Sequence, residues 1–383
     1  MTAKVLCVFG TRPEAIKMAP VVRKLRESPG IDTRVCVTAQ HRHMLDQVLG
    51  IFGIETDHDL DLMTPGQDLF DVTSRVLLGM RDVLRSEKPD VMLVHGDTTT
   101  CFAAGLAAFY ENTALGHVEA GLRTRNLRAP FPEEANRSLV ARVCDYHFAP
   151  TDLSKRNLLA EAVPEEQIWV TGNTVIDALL IARDMLPDQP ESYWQQHLGD
   201  ELLGQVQQGP ERFVLITGHR RENFGQGFRD LCMAIRQLAE RHPNWLFVYP
   251  VHLNPNVQKP VNEILSGLTN VRLIEPLDYL PFVWLMDRCD LILTDSGGIQ
   301  EEGPSLGKPV LVMRDVTERP EALDAGTVLL VGTKQEMITT SVEKVLLDQA
   351  TYDAMARAIN PYGDGRAAGR IAATLSERFS LAA

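Results

Sequence analysis

The sequence predicts an α/β protein built from two doubly wound, Rossmann-like domains that face a central cleft. Strand and helix patterns alternate along almost the whole chain, which is typical of parallel sheets covered by helices. The length of 383 residues exceeds one ordinary core and favours two domains. Polar residues and glycines gather where the predicted strands end, and open parallel sheets bind their ligands at that edge.

The first alternating series covers the N-terminal half of the chain. Its predicted strands are residues 4–9, 33–38, 91–95, 114–118, 146–149 and 167–170, because these runs are apolar and rich in β-branched residues. Its predicted helices are residues 14–27, 43–52, 68–86, 99–110, 133–143, 152–161 and 175–185. A polar segment from Pro187 to Pro210 separates this series from the next.

The second series begins after that polar segment. Its predicted strands are residues 213–217, 245–250, 271–274, 291–294 and 310–313, with helices between them. The two series predict two sheets of similar construction.

Bulk properties exclude several classes of protein. No apolar run reaches the roughly 18 to 20 residues of a membrane span, and the first residues enter a strand pattern instead of a signal peptide, so we expect a cytoplasmic chain with no membrane partner. The net charge of −13 argues against nucleic acid as a partner. The six cysteines are scattered without metal-ligand spacing, which predicts reduced core residues and no metal site.

The segment 291–302 carries the clearest binding signal. It reads as a buried strand, a polar turn with two adjacent glycines, and a helix that opens at Ile299 with Glu301 and Glu302 in its first turn. Such a turn offers free N–H groups and the positive end of a helix dipole to an anion, and Glu302 suits a ribose diol. With Arg319 in a later loop, the segment predicts a nucleotide-diphosphate site. A tight structural connection is the alternative.

Polar residues also follow the other predicted strands. Arg12 and Lys17 come after the first strand, and Asp97 follows the strand that ends at His95. The remaining ones are Glu119, Glu133, Glu134, His219 and Arg220. Each has a structural explanation of its own, such as a helix cap for Asp97, but their common position at strand ends favours a catalytic edge.

Several motifs are missing from the sequence. Gly10 is followed by no second glycine that would complete a dinucleotide fingerprint, and there is no P-loop, zinc-peptidase or serine-hydrolase motif. We therefore expect no cofactor, and a site that uses carboxylates and histidine as acids and bases.

Motifs along nearly the whole chain resemble the bacterial non-hydrolysing UDP-N-acetylglucosamine 2-epimerases. They are VFGTRPEAIKMAP (8–20), VTAQHR (37–42), HGDT (95–98), HVEAGLRT (117–124), FPEEANR (131–137), TGNTVIDAL (171–179), TGHRREN (217–223), YPVHLNP (249–255), TDSGGIQEE (294–302) and NPYGDG (360–365). The resemblance implies a fold of the glycosyltransferase B type, a homodimer, and reversible conversion of UDP-N-acetylglucosamine to UDP-N-acetylmannosamine for cell-surface polysaccharide. It also implies domains at 1–172 and 173–364, with a C-terminal helix of about 365–383 packing back on the first domain.

The resemblance assigns roles to individual residues. Asp97, Glu119 and Glu133 would be the acid/base carboxylates, with Glu134 as a rival to Glu133. Further contacts to the sugar or the diphosphate would come from Arg12, Lys17, His219, Ser296, Gly297 and Gly298, with His219 also catalytic. Phe282, Glu302 and Arg319 would contact the nucleoside. The expected chemistry is anti elimination of UDP to 2-acetamidoglucal, followed by re-addition.

Two departures from the family pattern affect these assignments. Leu277 stands where close relatives often carry glutamine, which weakens the case for a side-chain contact to uracil there. Many members bind a second UDP-N-acetylglucosamine as an activator, and the candidates here are Gln40, His43, Arg220 and His252. His43 stands where a glutamine or glutamate is common in the family.

Three other functions stay open from the sequence. A hydrolysing epimerase would release UDP and free N-acetylmannosamine. A glycosyltransferase of the same architecture would bind the same donor and need an acceptor. A nucleotide-sugar sensor would keep Ser296–Gly298 but would have no use for three acids, so retention of Asp97, Glu119 and Glu133 speaks against it.

Overall fold

The computed structural model describes residues 2–39, 42–64 and 66–381, and within them the chain divides into two compact units. The first unit is Met1–Leu180 together with Tyr362–Ala383, and the second is Ile181–Pro361. The first division falls inside a helix, Thr174–Asp184, whereas the sequence prediction placed it at 172/173.

The described part of the first unit contains a seven-stranded parallel sheet. Its strands are β1 (Ala3–Phe9), β2 (Ile31–Val37), β3 (His58–Asp59), β4 (Val91–His95), β5 (Ala114–Val118), β6 (Tyr146–Ala149) and β7 (Ile168–Val170). Their order is β3-β2-β1-β4-β5-β6-β7, so the winding direction reverses between β1 and β4. The central strands are buried almost throughout, as parallel strands with both faces covered must be.

Helices cover both faces of this sheet. They are α1 (Arg12–Arg26), α2 (Arg42–Phe52), α3 (Leu69–Glu87), α4 (Thr99–Tyr110), α5 (Glu133–Val140), α6 (Asp152–Ala160) and α7 (Thr174–Asp184). Helix α1 starts where the sequence requires, because Thr11 and Glu14 form a reciprocal capping box and Pro13 occupies the first turn. On one face, Val76 and Met80 of α3 pack in a single core with Val8 and Val94 of the sheet.

The second unit begins with α8 (Glu191–Leu198) and α9 (Asp200–Gln207). Its six strands are β8 (Arg212–Thr217), β9 (Trp245–Pro250), β10 (Val271–Ile274), β11 (Leu291–Thr294), β12 (Val310–Val312) and β13 (Val328–Leu330), in the order β10-β9-β8-β11-β12-β13 over residues 181–361. The helices that cover it are α10 (Gln226–Arg241), α11 (Pro255–Leu265), α12 (Tyr279–Arg288), α13 (Gly297–Ser305), α14 (Pro320–Asp324), α15 (Gln335–Leu347) and α16 (Gln349–Ala356). The winding direction of this sheet reverses between β8 and β11.

The α/β class and the two parallel sheets are confirmed, and every strand predicted from the sequence is present. Two short edge strands, β3 and β13, were not predicted, because runs of two and three residues are too short to show a period. The polar segment before Pro210 contains α8 and α9, whose apolar residues, Trp194 and Leu202 among them, are buried. All six cysteines are free and buried, as expected.

The last helix, α17 (Ala367–Leu381), belongs to the first unit and packs on α1. The carboxylate of Asp177 on α7 accepts hydrogen bonds from the first N–H groups of this helix, those of Ala367 at 3.1 Å and Ala368 at 2.9 Å. Arg370 donates to the carbonyl of Thr171 at 2.9 Å. Asp177 therefore acts as a cap supplied by a different helix, which satisfies N–H groups that would otherwise have no partner.

We expect Asp177→Ala to loosen α17 specifically. Loss of a helix cap costs about 0.5 to 2 kcal/mol, so amide hydrogen exchange in residues 367–381 should become faster while the sheet of the same unit stays protected. Asp184→Ala, which removes an exposed carboxylate at the other end of α7, is the matched control. Equal protection of α17 in both variants would contradict the capping role.

Candidate functional site

In the first unit, the predicted site residues lie at the carboxyl ends of the strands on either side of the winding reversal. Arg12 and Lys17 are on α1, directly after β1. Asp97 follows β4, Glu119 follows β5, and Glu133 is the first residue of α5. Helices on both sides of the sheet diverge at this point, which leaves the strand ends accessible to a ligand.

Glu119 is held by three side chains from three different elements. Its Oε1 accepts from Lys17 Nζ at 2.6 Å and from Asn173 Nδ2 at 3.0 Å. Its Oε2 lies 3.0 Å from His95 Nε2 at the end of β4. Both carboxylate oxygens are therefore engaged, and the side chain is only 10% exposed.

The charge state of Glu119 follows from these neighbours. Burial opposes ionisation, but the positive charge of Lys17 and the His95 ring outweigh it and hold the pKa of Glu119 well below its ordinary value. The backbone of Glu119 has φ of +64°, a left-handed conformation that is strained for a residue with a side chain. The structure thus fixes an ionised carboxylate in a strained turn.

Asp97 has a different environment. Arg137 Nη2 lies 2.5 Å from its Oδ2, and the Asp97 side chain remains 29% exposed. The sequence allowed Asp97 to be a helix cap, but Thr98 caps α4 by accepting from Cys101 N at 3.0 Å. The cap interpretation of Asp97 is therefore wrong.

The backbone that carries Asp97 is held by hydrogen bonds from two side chains. The preceding residue, Gly96, has φ of +66°, a conformation that glycine adopts without strain. His117 donates a ring N–H to the Gly96 carbonyl at 2.7 Å, and burial lowers the pKa of His117 to about 3, so that this ring is neutral. Asn136 donates to the carbonyl of Asp97 at 2.9 Å.

Glu133 and Glu134 have opposite environments. Glu134 is 1% exposed, and its oxygens accept from the backbone N–H groups of Thr124 at 3.0 Å and Arg125 at 2.8 Å. Both Glu134 oxygens are therefore used to hold the backbone at residues 124–125. Glu133 Oε2 is buried and has no hydrogen-bond partner within the described residues. Glu133 also lies four residues before Arg137 on α5, so the two side chains share one side of that helix.

The two predicted cations of this unit differ in a similar way. Lys17 is paired with Glu119 at 2.6 Å. Arg12 is half-buried and makes no hydrogen bond or ion pair with the described residues. Its guanidinium is therefore available to an anion.

In the second unit, the predicted anion site is the start of α13. The helix begins at Gly297, two residues earlier than the sequence indicated, so Glu301 and Glu302 lie in its second turn. Ser296 occupies the N-cap without a side-chain hydrogen bond to the first turn. Gln300 donates to the Ser296 carbonyl at 3.1 Å and holds the turn in place.

Arg319 lies directly against this helix start. A side chain at Gly297 would meet the Arg319 guanidinium at 2.7 Å, so a larger residue there would displace that guanidinium. Arg319 Nε donates to Glu301 at 2.6 Å and its Nη1 to Glu318 at 3.0 Å. Arg314 also binds Glu318, at 2.9 Å. Burial raises the pKa of Glu318, but Arg319 and Arg314 lower it more strongly, to about 2.

His219 and Arg220 follow β8, the strand that pairs with β11. Their backbone N–H groups donate to Asp295 Oδ2 at 2.9 and 2.8 Å. Arg220 also approaches Glu318 at 3.4 Å. The ring of His219 stacks on that of His252 with centroids 5.2 Å apart.

The predicted nucleoside residues lie on two neighbouring helices. Phe282 is half-buried on α12. Glu302 is 8% exposed and accepts from the Tyr279 hydroxyl of the same helix at 3.2 Å. Leu277 is half-buried in the loop before α12.

The candidates for a regulatory site are described only in part. Gln40 lies outside the described residues, and His43 is on α2 with its side chain likewise outside them. Arg220 and His252 both lie beside His219, close to the residues predicted to bind substrate.

Some residues of these clusters were not predicted as site residues. They are His95, Arg137, Asn173, Asp295 and Glu318. The first four lie inside quoted motifs and could have been selected by their position after a strand or on a site helix. Glu318 gave no such signal, because only the fold shows that it separates two arginines.

Two classes of feature are absent from the described part of the chain. No group of three or more histidine, cysteine or acidic side chains is arranged to hold a metal ion. No helix there is long and apolar enough to cross a membrane.

Comparison with known proteins gives a consistent result. A family model described as UDP-N-acetylglucosamine 2-epimerase matches residues 23–376. The UDP-N-acetylglucosamine 2-epimerase of Yersinia pestis is 58% identical over 96% of this chain and 97% of that protein. That of Escherichia coli K12 is 56% identical over 99% of this chain and 100% of that protein.

Solved structures of the same kind share the fold. The Neisseria meningitidis UDP-GlcNAc 2-epimerase bound to UDP-GlcNAc has a TM-score of 0.89 and 52% identity, covering 98% of this chain and 100% of that one. The Methanocaldococcus jannaschii enzyme in complex with UDP-GlcNAc and UDP has a TM-score of 0.78 and 32% identity, covering 98% and 99%.

The low pKa of Glu318 predicts a pH-dependent contribution to stability. A carboxylate whose pKa falls from 4.5 to about 2 on folding stabilises the fold above pH 4.5 and loses that effect as the pH falls toward 2. Glu318→Gln should therefore lower the free energy of unfolding at pH 7, and its difference from the parent should shrink below pH 4.5. Urea denaturation at several pH values measures this. Glu336→Gln, at an exposed position on α15, should show no such pattern.

Proposed function

The chain belongs to the UDP-N-acetylglucosamine 2-epimerase family, and we propose that it interconverts UDP-N-acetylglucosamine and UDP-N-acetylmannosamine without net hydrolysis. The observation that carries the proposal is the difference among the carboxylates of the first unit. Glu119 has Lys17, Asn173 and His95 around its two oxygens, whereas Asp97 is partly exposed and Glu133 Oε2 has no hydrogen-bond partner among the described residues.

The reaction explains why such a set of carboxylates is needed. The C2 proton of the sugar is not next to a carbonyl, so a carboxylate can remove it only as UDP leaves C1 and positive charge develops there. Anti elimination breaks the C1–O bond to UDP and the C2–H bond and forms a C1–C2 double bond in 2-acetamidoglucal. Re-addition of UDP with a proton on the other face of C2 gives the epimer. Positive charge develops on the ring and negative charge on the diphosphate.

We assign the proton transfers to Asp97 and Glu133, and an electrostatic role to Glu119. A carboxylate with both oxygens engaged and a pKa held well below the ordinary range is a poor proton acceptor at neutral pH. A fixed negative charge stabilises an oxocarbenium-like ring, because its position costs no reorganisation during the reaction. Arg12, without a partner among the described residues, and Lys17 are the cations of this unit assigned to the substrate.

The second unit is assigned to UDP. The α13 start offers backbone N–H groups of Gly297 and Gly298 beside the Arg319 guanidinium, a combination suited to phosphate oxygens. Glu302 and Phe282 are assigned to the nucleoside, and His219 to the diphosphate as it departs. The UDP-GlcNAc and UDP complexes of the Neisseria and Methanocaldococcus relatives support this class of ligand.

The other expectations from the family resemblance are part of the same proposal. They are a homodimer in the cytoplasm, a product used for cell-surface polysaccharide, and activation by a second UDP-N-acetylglucosamine. The partly described candidates Gln40 and His43 belong to this regulatory proposal, together with Arg220 and His252.

Proton NMR of UDP-N-acetylglucosamine with the purified protein in deuterium oxide tests the reaction directly. We expect both epimers to accumulate with deuterium at C2, because the proton passes through a carboxyl group that exchanges with solvent. Prior removal of NAD and divalent metals should not change the rate. Retention of the original C2 hydrogen would exclude proton abstraction, and release of free N-acetylmannosamine with UDP would identify the hydrolysing reaction.

Asp97→Asn should separate activity from folding. The variant keeps a side-chain oxygen for Arg137 and leaves the Thr98 cap untouched, so the thermal midpoint should stay close to that of the parent. Epimerisation should fall by at least about a hundredfold, since general acid–base catalysis is worth roughly 10² to 10⁴ in rate. UDP binding, measured by calorimetry, should be largely retained.

Asp90→Asn is the matched control for that variant. Asp90 lies at the opposite end of β4, where its carboxylate accepts from the backbone N–H of Lys4 at 2.7 Å. Its replacement should leave turnover near normal. Near-normal turnover in a folded Asp97→Asn protein would move both proton transfers to Glu133 and Glu119.

A further inference from the structure

We propose that Asp295 is a positioning residue for His219. The Asp295 carboxylate holds the Nδ1 side of the imidazole and stabilises the protonated ring. The opposite nitrogen, Nε2, then faces the departing diphosphate. The inference rests on the proposed function for the role of His219. It goes beyond that function by assigning to Asp295 a task that its backbone contacts do not require.

One oxygen of Asp295 is committed to the loop after β8. Asp295 follows β11 and is completely buried. Its Oδ2 accepts from the N–H of His219 at 2.9 Å and of Arg220 at 2.8 Å, and from Asn223 Nδ2 at 3.5 Å. Three donors on one oxygen prevent the carboxylate from rotating, so the direction of its second oxygen is fixed.

The second oxygen points toward the histidine ring. Asp295 Oδ1 is buried without a hydrogen-bond partner in the described residues and lies 3.7 Å from His219 Nδ1. An unsatisfied buried carboxylate oxygen is costly, and this distance is slightly too long for a hydrogen bond. A small rotation of the ring brings Nδ1–H to Oδ1. In that arrangement the opposite nitrogen, Nε2, is free to act on the substrate.

The rest of the surroundings hold His219 in this orientation. Tyr249 donates its hydroxyl to the carbonyl of Gly218 at 2.9 Å and fixes the residue before the histidine. The outer face of the His219 ring stacks on His252 at an interplanar angle of 14°. The side chain is nevertheless 43% exposed, so the ring is oriented and also accessible.

The charges around the ring oppose one another. Burial lowers the pKa of His219, Asp295 raises it, and His252 and Arg220 lower it further. Among these groups, Asp295 is therefore the one that favours the imidazolium form of His219. A protonated His219 would neutralise charge on the leaving UDP.

The backbone role and the positioning role of Asp295 can be separated by one substitution. The donors of His219, Arg220 and Asn223 need only an oxygen acceptor, and an asparagine supplies one. The negative charge and the second oxygen serve only the ring. Asp295→Asn should therefore preserve the loop and remove the support of the imidazole.

The test is an NMR titration of His219 in labelled protein without substrate, with its signal assigned by His219→Asn. We expect Asp295→Asn to lower the pKa of His219 and to reduce kcat by at least about 10-fold, because general acid catalysis by a histidine is worth roughly 10² to 10⁴ in rate, with a smaller change in KM. The basic limb of the pH–rate profile should move to lower pH. Asp290→Asn, which alters a carboxylate bound to the Phe213 N–H at the start of β8, should change none of these.

Two further measurements keep the proposal testable if Asp295→Asn folds poorly. In the parent protein, nitrogen NMR of neutral His219 should show the proton on Nδ1, and a proton on Nε2 would overturn the proposal. In a folded Asp295→Asn protein, an unchanged His219 titration would also overturn it. Both readouts are taken without substrate. If Asp295→Asn lowers the pKa of His219 as expected but the parent protein does not epimerise its substrate, the proposed function is refuted and the positioning role stands.

Discussion

The first unit depends on the engagement of Glu119 by Lys17, Asn173 and His95. These contacts join α1, β4, β5 and the start of α7, so one buried carboxylate fixes the relative positions of four elements at the edge of the sheet. An ionised group with this little exposure is stable only when it is fully paired, because desolvation alone would protonate it. The pairing that stabilises the site therefore also keeps Glu119 ionised. The strained backbone of Glu119 is the conformation that permits this pairing.

The two units distribute charge in opposite ways at their candidate sites. The first presents carboxylates, and one of them, Glu133, has an oxygen with no hydrogen-bond partner in the described part of the chain. The second presents N–H groups at the start of α13 together with arginines, and their charge is balanced by Glu301 and Glu318. Without those acids, Arg314 and Arg319 would repel each other in a largely buried setting. With them, the guanidinium of Arg319 stays against Gly297 before any anion is bound.

The sequence was sufficient to predict the two sheets, because parallel strands with both faces covered read as apolar runs. It also located the polar strand ends and, through the family resemblance, the candidate acids. It could not distinguish Glu133 from Glu134, since adjacent residues on a helix differ only in the direction they face. Neither could it show that Thr98 and not Asp97 caps α4. Nor could it show that one Asp295 oxygen binds the loop after β8 while the other faces the His219 ring. These properties depend on contacts between residues far apart in the chain.

The capping of α17 by Asp177 has a consequence for protein synthesis. A ribosome makes the last helix of the first unit only after the whole of the second unit, residues 181–361, has been synthesised. Until then α1 has an uncovered apolar face and Asp177 has no backbone donors from α17. The second unit is continuous in the chain and can complete its core before residues 362–381 are made, whereas the first unit cannot. Released chains that end before residue 367 should therefore carry a folded second unit and an incomplete first one.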